Sequence, residues 1–331
     1  MKLELTYSEL CSQLNGKSVG VPFVDLIQEV VYDTRKINPS AGLVFFALNG
    51  PFRCGESYIS AAYDKGVRVF VVHQVPENNY LDASFIVVDD TLAALQMLAK
   101  SYRDQLTYPI LAIAGSLGKT TVKEWLYHLI AGKLEVFRSP KSYNSQLGVA
   151  LSILQLPKKT DLAIIEVAAT KPGEMKVLAD MLRPTHGILT NLLPSHANEF
   201  NDFQQYSAEI CSLFNGVNWL ITSEETNKLT DLRCQTISVQ AHQLDSLIPF
   251  QDEISMQQSK IAIAAAEEWI SVDEERIKSL PHLAMRLETF EGNDGALIIN
   301  DTYTMDKEAF RSSLSYQLSI AGSKHRIVLI G

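Results

Sequence analysis

The sequence predicts an α/β protein built on parallel sheets, and three observations carry that reading. Short β-like apolar runs are interleaved with helical stretches in the first third of the chain. From Tyr108-Pro109 strand and helix alternate in regular order, and a glycine-rich turn joins a buried strand to a helix. The 331 residues are 46% hydrophobic and 20% charged, which supplies two or three buried cores and excludes a disordered or fibrous chain. A net charge of −9 argues against a broad surface for nucleic acid or an anionic membrane. No apolar run approaches the roughly 20 residues that span a bilayer, and Glu4 and Glu9 stand where a leader peptide would be apolar. Cys11, Cys54, Cys211 and Cys234 lack metal-ligand spacing and read as reduced thiols of a cytoplasmic protein.

Residues 1–108 read as a small α/β domain. Strands are expected at Leu43–Leu48, Val67–Val72 and Phe85–Val88, with helices at Ile59–Lys65 and Thr91–Arg103. Residues 109–283 read as a central domain with a parallel sheet covered on both faces. Its strands are Ile110–Ala114, Leu162–Val167, Gly187–Thr190 and Trp219–Thr222; its helices are Val122–Ala131, Gly173–Leu182 and Ser259–Ile270. Between residues 224 and 251 the text is polar and weakly patterned. Residues 284–331 read as the incomplete beginning of a third domain. A hairpin is expected from Met285–Glu291 to Ala296–Asn300 around Asp294-Gly295, followed by a strand at Arg326–Ile330.

The run Ala114-Gly115-Ser116-Leu117-Gly118-Lys119-Thr120-Thr121 lies between a strand and a helix. Such a turn holds phosphate with main-chain N–H groups and a helix N-terminus, a lysine reaches the β- and γ-phosphates, and the next hydroxyl ligates Mg²⁺. Gly115, Ser116, Gly118, Lys119, Thr120 and Thr121 are the candidate nucleotide-binding residues. Ile113 stands where the full pattern has a further glycine, so the loop is a shortened form. The plain alternative is an ordinary strand–turn–helix. Open α/β sheets place ligands at the C-terminal ends of their strands, which makes Glu166 and His196 candidates for catalysis and, with Thr120, for the metal. Each has a bland alternative, a satisfied strand-end acid and a structural loop histidine.

Several further elements in fixed order resemble the Mur ligase family. They are Asp33-Thr34-Arg35, the loop 115–121, Lys123-Glu124-Trp125-Leu126, Arg138–Gln146, Pro172–Met175, Arg183-Pro184, Thr190-Asn191 with His196, Met285–Glu288 and Asn300–Tyr303. Within that family the chain looks like the members that add D-alanyl-D-alanine to a UDP-N-acetylmuramoyl tripeptide, in the form fused to an alanine racemase in Bacteroidetes. The resemblance implies an ATP-dependent amide ligase of peptidoglycan precursor synthesis, working through an acyl phosphate with ATP and Mg²⁺. It implies a Rossmann-like third domain, a racemase partner domain beyond residue 331, and no nucleic-acid or membrane partner. It places Lys119, Glu166 and His196 in catalysis, and Thr120, Glu166 and His196 at the metal. Asp33, Thr34, Arg35 and Asn144 fall on the substrate side, with Arg286 and Asp301 near the nucleotide.

Departures from the family pattern bear on activity. Leu117 replaces an asparagine, and Cys54-Gly55-Glu56 stands for Asp-Gly-His. No lysine lies between Lys176 and Lys228, where the family's carbamylated lysine belongs, which leaves Glu209 as a substitute. Gln258 takes the place of an adenine-side asparagine, and Thr304-Met305 replaces Asn-Ser. A non-catalytic relative that binds nucleotide or a partner, and a generic phosphate-loop NTPase, are the alternative readings.

Overall fold

Runs without polar alternation become the inner strands of two six-stranded sheets. The computed structural model describes residues 2–22, 24–50, 53–78, 80–193, 199–229, 235–238, 245–250, 252–303, 307–322 and 325–330. Contacts gather the chain into two compact units, one of Met1–Tyr108, Tyr143–Lys159 and Val177–Arg183, the other of Pro109–Ser142, Thr160–Lys176 and Pro184–Gly331.

The first unit opens with β1 (Lys2–Thr6), α1 (Tyr7–Gln13), β2 (Lys17–Val19), β3 (Leu26–Val31) and β4 (Leu43–Phe46). It continues with α2 (Ile59–Asp64), β5 (Val69–Val72), β6 (Ser84–Val87) and α3 (Thr91–Arg103). The sheet order is β1-β3-β4-β5-β6-β2, parallel from β3 to β6 and closed at each edge by an antiparallel strand. Every residue of β4 and β5 is buried, as strands covered on both faces must be. Asp90 starts α3 by accepting the N–H groups of Leu92 and Ala93.

The second unit starts with β7 (Ile110–Ala114), α4 (Lys119–Ile130) and β8 (Val136–Arg138); α5 (Gln146–Ile153) belongs to the first. Then come β9 (Leu162–Glu166), α6 (Glu174–Leu182), β10 (His186–Leu189), α7 (Phe203–Ser212), β11 (Trp219–Thr222), α8 (Glu224–Asn227), β12 (Gln235–Ser238) and α9 (Glu253–Glu267). The last elements are α10 (Glu274–Lys278), β13 (Glu288–Glu291), β14 (Leu297–Asn300) and α11 (Lys307–Ala321). The sheet is wholly parallel, in the order β12-β11-β10-β7-β9-β8. The chain returns from β8 and β9 on one side of β7 to β10 on the other, so β7 sits at the topological switch where such sheets bind ligands. Apolar faces of α4 and α9 (Val122, Trp125 and Leu126; Ile261 and Ala265) close one side of this sheet, with Trp125 stacked on Phe250 at 4.5 Å.

Three expectations need correction. Helix α4 begins at Lys119, not Val122, because Gly118 turns the chain into it with φ +82°. The weakly patterned 224–251 text contains α8 and β12, and β12 pairs in parallel with β11. Arg326–Ile330 forms no strand; Ile327 and Leu329 are 79% and 91% exposed, so the apolar run has no sheet to enter. The hairpin forms, β13 pairing antiparallel with β14 and Gly295 at φ +72° in the connection.

Candidate active site

The strand–turn–helix at β7 is folded tightly around two glycines. A Cβ on Gly115, at φ +132°, would come within 2.2 Å of Thr190 Oγ1 and 2.8 Å of the Asn191 carbonyl. A Cβ on Gly118 would meet Gln258 Nε2 at 2.3 Å. Only glycine allows this approach. Ser116 N–H donates to the Asn191 carbonyl (3.0 Å) and Leu117 N–H to Asn191 Oδ1 (2.9 Å), so those two donors brace the loop against the end of β10. The Ser116 hydroxyl faces the same way, 3.0 Å from the Tyr206 hydroxyl and accepting from Leu193 N–H at 2.8 Å. Any anion at this loop would therefore meet the residues that follow. Helices α3, α5, α7 and α9 begin on a side-chain cap, whereas α4 begins on Gly118 with none. Its first-turn N–H groups point toward the loop mouth, the arrangement that receives phosphate. Lys119 Nζ donates to the carbonyls of Gly115 (2.7 Å) and Ser116 (3.0 Å), across that mouth, and Thr121 is buried behind it.

Thr120 and Glu166 come together. Thr120 Oγ1 donates to Glu166 Oε2 at 2.8 Å and lies 3.0 Å from Ser142 Oγ. Glu166 is 1% exposed, and Ser139 Oγ fixes its backbone by accepting the Glu166 N–H at 3.1 Å. Two hydroxyls and a carboxylate converging on one point are hard oxygen donors of the kind Mg²⁺ takes, and the residues fit that ion. Ser142 gave no separate signal in the sequence. Lys123 was also missed: its side chain is fully buried, with Nζ 3.7 Å from Glu166 Oε2. It lies three residues from Thr120 along one helix, but a lysine there ordinarily reads as a solvated side chain.

Arg286 and Asp301 are not equivalent. Asp301 accepts the N–H of Leu287 at 3.2 Å and the Ser313 hydroxyl, so its carboxylate is committed to the hairpin and α11. The Arg286 guanidinium lies 4.2 Å over the Tyr303 ring, and Tyr303 O–H donates to Ser142 Oγ at 2.6 Å. Arg286 thus reaches the Thr120 cluster through an aromatic ring. Glu209, the expected substitute for a carbamate, accepts the Met175 N–H at 2.8 Å and so serves the first turn of α6. His196 and Thr304-Met305 lie outside the described residues. Among the described residues no group of three or more His, Cys, Asp or Glu side chains could hold a metal.

In the first unit, Asp33 caps the short turn Thr34–Lys36 and grips Arg35 with both oxygens, at 2.9 Å to Nε and 2.8 Å to Nη2. Hydrogen bonding from Arg35, against the opposing effect of burial, holds the Asp33 carboxyl down to about 2. Lys65 Nζ donates to the Thr34 carbonyl at 2.7 Å. The neighbouring Tyr32 hydroxyl bonds to Tyr143, and burial with that bond pushes its pKa up. Asn144 follows Tyr143, half-buried, in the same unit as Asp33, Thr34 and Arg35. Glu56 is a strut, accepting from His73 N–H (3.1 Å), Cys54 Sγ (3.1 Å) and Asn49 Nδ2 (3.3 Å). Burial works to raise its pKa, and hydrogen bonds led by that from Cys54 outweigh it and leave it lowered.

The Mur ligase middle domain pattern matches residues 113–272, which takes in the loop, Thr120, Glu166 and Gln258. The UDP-N-acetylmuramoyl-tripeptide–D-alanyl-D-alanine ligase of Bacillus subtilis is 25% identical over 341 aligned residues, covering 92% of this chain and 73% of that protein. In fold, the chain is similar to MurF from Acinetobacter baumannii, with TM-score 0.84 at 20% identity over 96% of this chain and 77% of that one. It is also similar to the MurF ligase of Thermotoga maritima in complex with ADP, with TM-score 0.76 at 22% identity over 88% and 74%. Residues 113–272 thus carry the pattern of a Mur ligase middle domain, and 92% of the chain aligns with a D-alanyl-D-alanine-adding ligase.

Proposed function

We propose that this chain is an ATP-dependent amide ligase of peptidoglycan precursor synthesis, which joins D-alanyl-D-alanine to a UDP-N-acetylmuramoyl tripeptide through an acyl phosphate. The observation that carries it is the meeting of Thr120 Oγ1 and Glu166 Oε2 at 2.8 Å beside an uncapped helix N-terminus. The likeness to a Bacillus subtilis protein named for that reaction supports the choice of substrates.

In this reading the first turn of α4 and Lys119 receive the ATP phosphates. Lys119 exchanges its bonds to Gly115 and Ser116 for phosphate oxygens, which gather negative charge as the phosphoryl group moves. Thr120 and Glu166, with His196, which follows β10 in the sequence, would hold Mg²⁺, and the ion would neutralise charge on the transferring group. Gly115 and Gly118 keep the loop close enough for its amides to act, and Ser116 braces it. Arg286 stands near the nucleotide through Tyr303, while Asp301 fixes the hairpin that presents Arg286. Asp33, Thr34, Arg35 and Asn144 take the UDP-sugar side. A racemase domain on the same polypeptide would supply D-alanine, and the mass of the native protein tests that. No helix among the described residues is long and apolar enough to cross a membrane, and we place the reaction in the cytoplasm with its nucleotide-linked substrate.

Calorimetric titration with ADP, with and without Mg²⁺, tests the site. Phosphate release dependent on both the UDP-linked tripeptide and D-alanyl-D-alanine tests the reaction. Binding that ignores Mg²⁺, or phosphate release that ignores the dipeptide, would refute it.

A further inference from the structure

The proposed phosphoryl-transfer site uses Lys119 and leaves its neighbour one turn along α4 without a role. Lys123 has no exposed side-chain surface. Lysine is buried this completely only when its ammonium is fully partnered, since an unpaired charge inside a protein is prohibitively costly. An ammonium has three donors; here two carbonyls accept from it and a neighbouring carboxylate meets its charge. The Ser139 carbonyl lies at 2.9 Å, the Lys141 carbonyl also accepts, and Glu124 Oε1 is at 3.3 Å. Glu166 Oε2, at 3.7 Å, feels the charge without taking a hydrogen bond. The second oxygen of Glu124 accepts from Arg138 Nε at 3.0 Å, and the Arg138 guanidinium lies 3.6 Å over the Tyr127 ring. Two acids, Glu124 and Glu166, and two bases, Lys123 and Arg138, are thus interlocked against one stripe of α4, formed by residues 120, 123, 124 and 127.

The backbone reveals what this network accomplishes. Lys141 adopts φ +48°, the left-handed region that a side chain other than glycine's enters at a cost. That turn aims the Lys141 carbonyl at the Lys123 ammonium, and it delivers the next residue, Ser142, to within 3.0 Å of Thr120 Oγ1. Ser139 is tied to β9 through the Ile164 carbonyl at 2.9 Å, but the residues that follow it to Ser142 belong to no strand or helix. Lys123 cannot serve as a second phosphate-binding lysine, because its side chain is fully buried and its ammonium is turned inward to the Ser139 and Lys141 carbonyls.

We propose that Lys123 is a positioning residue of the metal–nucleotide site, its ammonium pinning the Ser139–Ser142 segment to α4 and setting Glu166 and Ser142 against Thr120. This rests on the reading of Thr120 and Glu166 as metal ligands.

The test uses Mn²⁺ as the probe, followed by electron paramagnetic resonance in the presence of ADP, beside ADP titration in EDTA. With Lys123→Met the affinity for Mn²⁺ in the ADP complex should fall at least tenfold, while metal-free ADP binding stays within twofold. Lys123→Gln, which can still donate to the Ser139 carbonyl but carries no charge, should show the same split; it decides the matter should Lys123→Met fail to fold. Unchanged Mn²⁺ affinity overturns the proposal. So does an equal loss in both titrations, which would mark Lys123 as a support of the fold alone. Wild-type protein that binds ADP but no Mn²⁺ overturns instead the metal reading on which the proposal stands.

Discussion

Thr120 Oγ1 and Glu166 Oε2 lie 2.8 Å apart, which joins the first turn of helix α4 to the last residue of strand β9. Neighbouring strands bring this about: β9 pairs directly with β7, and the loop after β7 starts α4. The carboxylate is buried, so the hydroxyl is a stabilising partner and, in the function proposed, half of a ligand pair.

Thr120→Val should therefore cost stability as well as binding. It keeps the β-branched shape and removes the donor, leaving Glu166 short of a hydrogen bond, at about 1–3 kcal/mol. Denaturant unfolding of Thr120→Val, Glu166→Gln and the double variant should give a coupling energy of about 0.5–3 kcal/mol. Additive single losses would mean that the two groups do not act on each other.

Lys119→Met should separate stability from binding. Its ammonium donates to the Gly115 and Ser116 carbonyls within one part-buried loop, and loss of such local bonds should change the unfolding free energy by about 1 kcal/mol. Phosphate is another matter. Loss of hydrogen bonds to a charged ligand, each worth about 1.5–3 kcal/mol, should weaken ADP binding about 10- to 100-fold by calorimetry. Equal ADP affinity in the two proteins would remove Lys119 from the site.

Gly115→Ala should be more damaging than Gly118→Ala. At Gly115 the new methyl would meet a main-chain carbonyl at 2.8 Å as well as Thr190 Oγ1, whereas at Gly118 it meets the flexible end of Gln258. Backbone strain of about 1–3 kcal/mol applies at both positions, since both have left-handed φ. Denaturant midpoints should rank wild type, Gly118→Ala and Gly115→Ala in falling order, and a reversed order would contradict the packing described for the loop.

Much of this was legible in the sequence where a single local cause dominates. Ile110–Ala114 and Trp219–Thr222 are short, largely apolar and bounded by turn signals, and both form strands over those very residues. Thr91–Arg103 is marked at its start by Asp90 and along its length by a helical stripe. The segments that escaped depend on partners distant in sequence. Strand β12 is held by pairing with β11. The reverse happened at Arg326–Ile330, where apolar composition alone promised a strand and no pairing supports it. At the site, Thr120 and Glu166 could be read because loop and strand end are fixed by topology. Lys123 could not, because a lysine in a helix is normally a solvated residue, and only the fold reveals the carbonyls that enclose it.

His186 should make stability fall in mild acid. The imidazole is 9% exposed, 4.6 Å from the Trp219 ring and 5.1 Å from that of Trp269, with Thr185 Oγ1 at 2.8 Å and Asn218 Nδ2 at 3.3 Å as its polar neighbours. Burial lowers its pKa, since it disfavours the charged form. The unfolded chain therefore takes up a proton before the folded one as pH drops through about 6.5. Over that window the unfolded state binds more protons, so unfolding free energy rises with pH and is lost on acidification, at up to about 1.4 kcal/mol per pH unit for one group. His128, also lowered by burial, contributes in the same direction, so the comparison must be made between proteins. His186→Phe keeps an aromatic ring against the tryptophans and removes the titrating group. Denaturant unfolding at pH 7.5, 6.5 and 5.5 should give a shallower slope for His186→Phe than for wild type. Parallel slopes would show that His186 is not the residue through which acid acts.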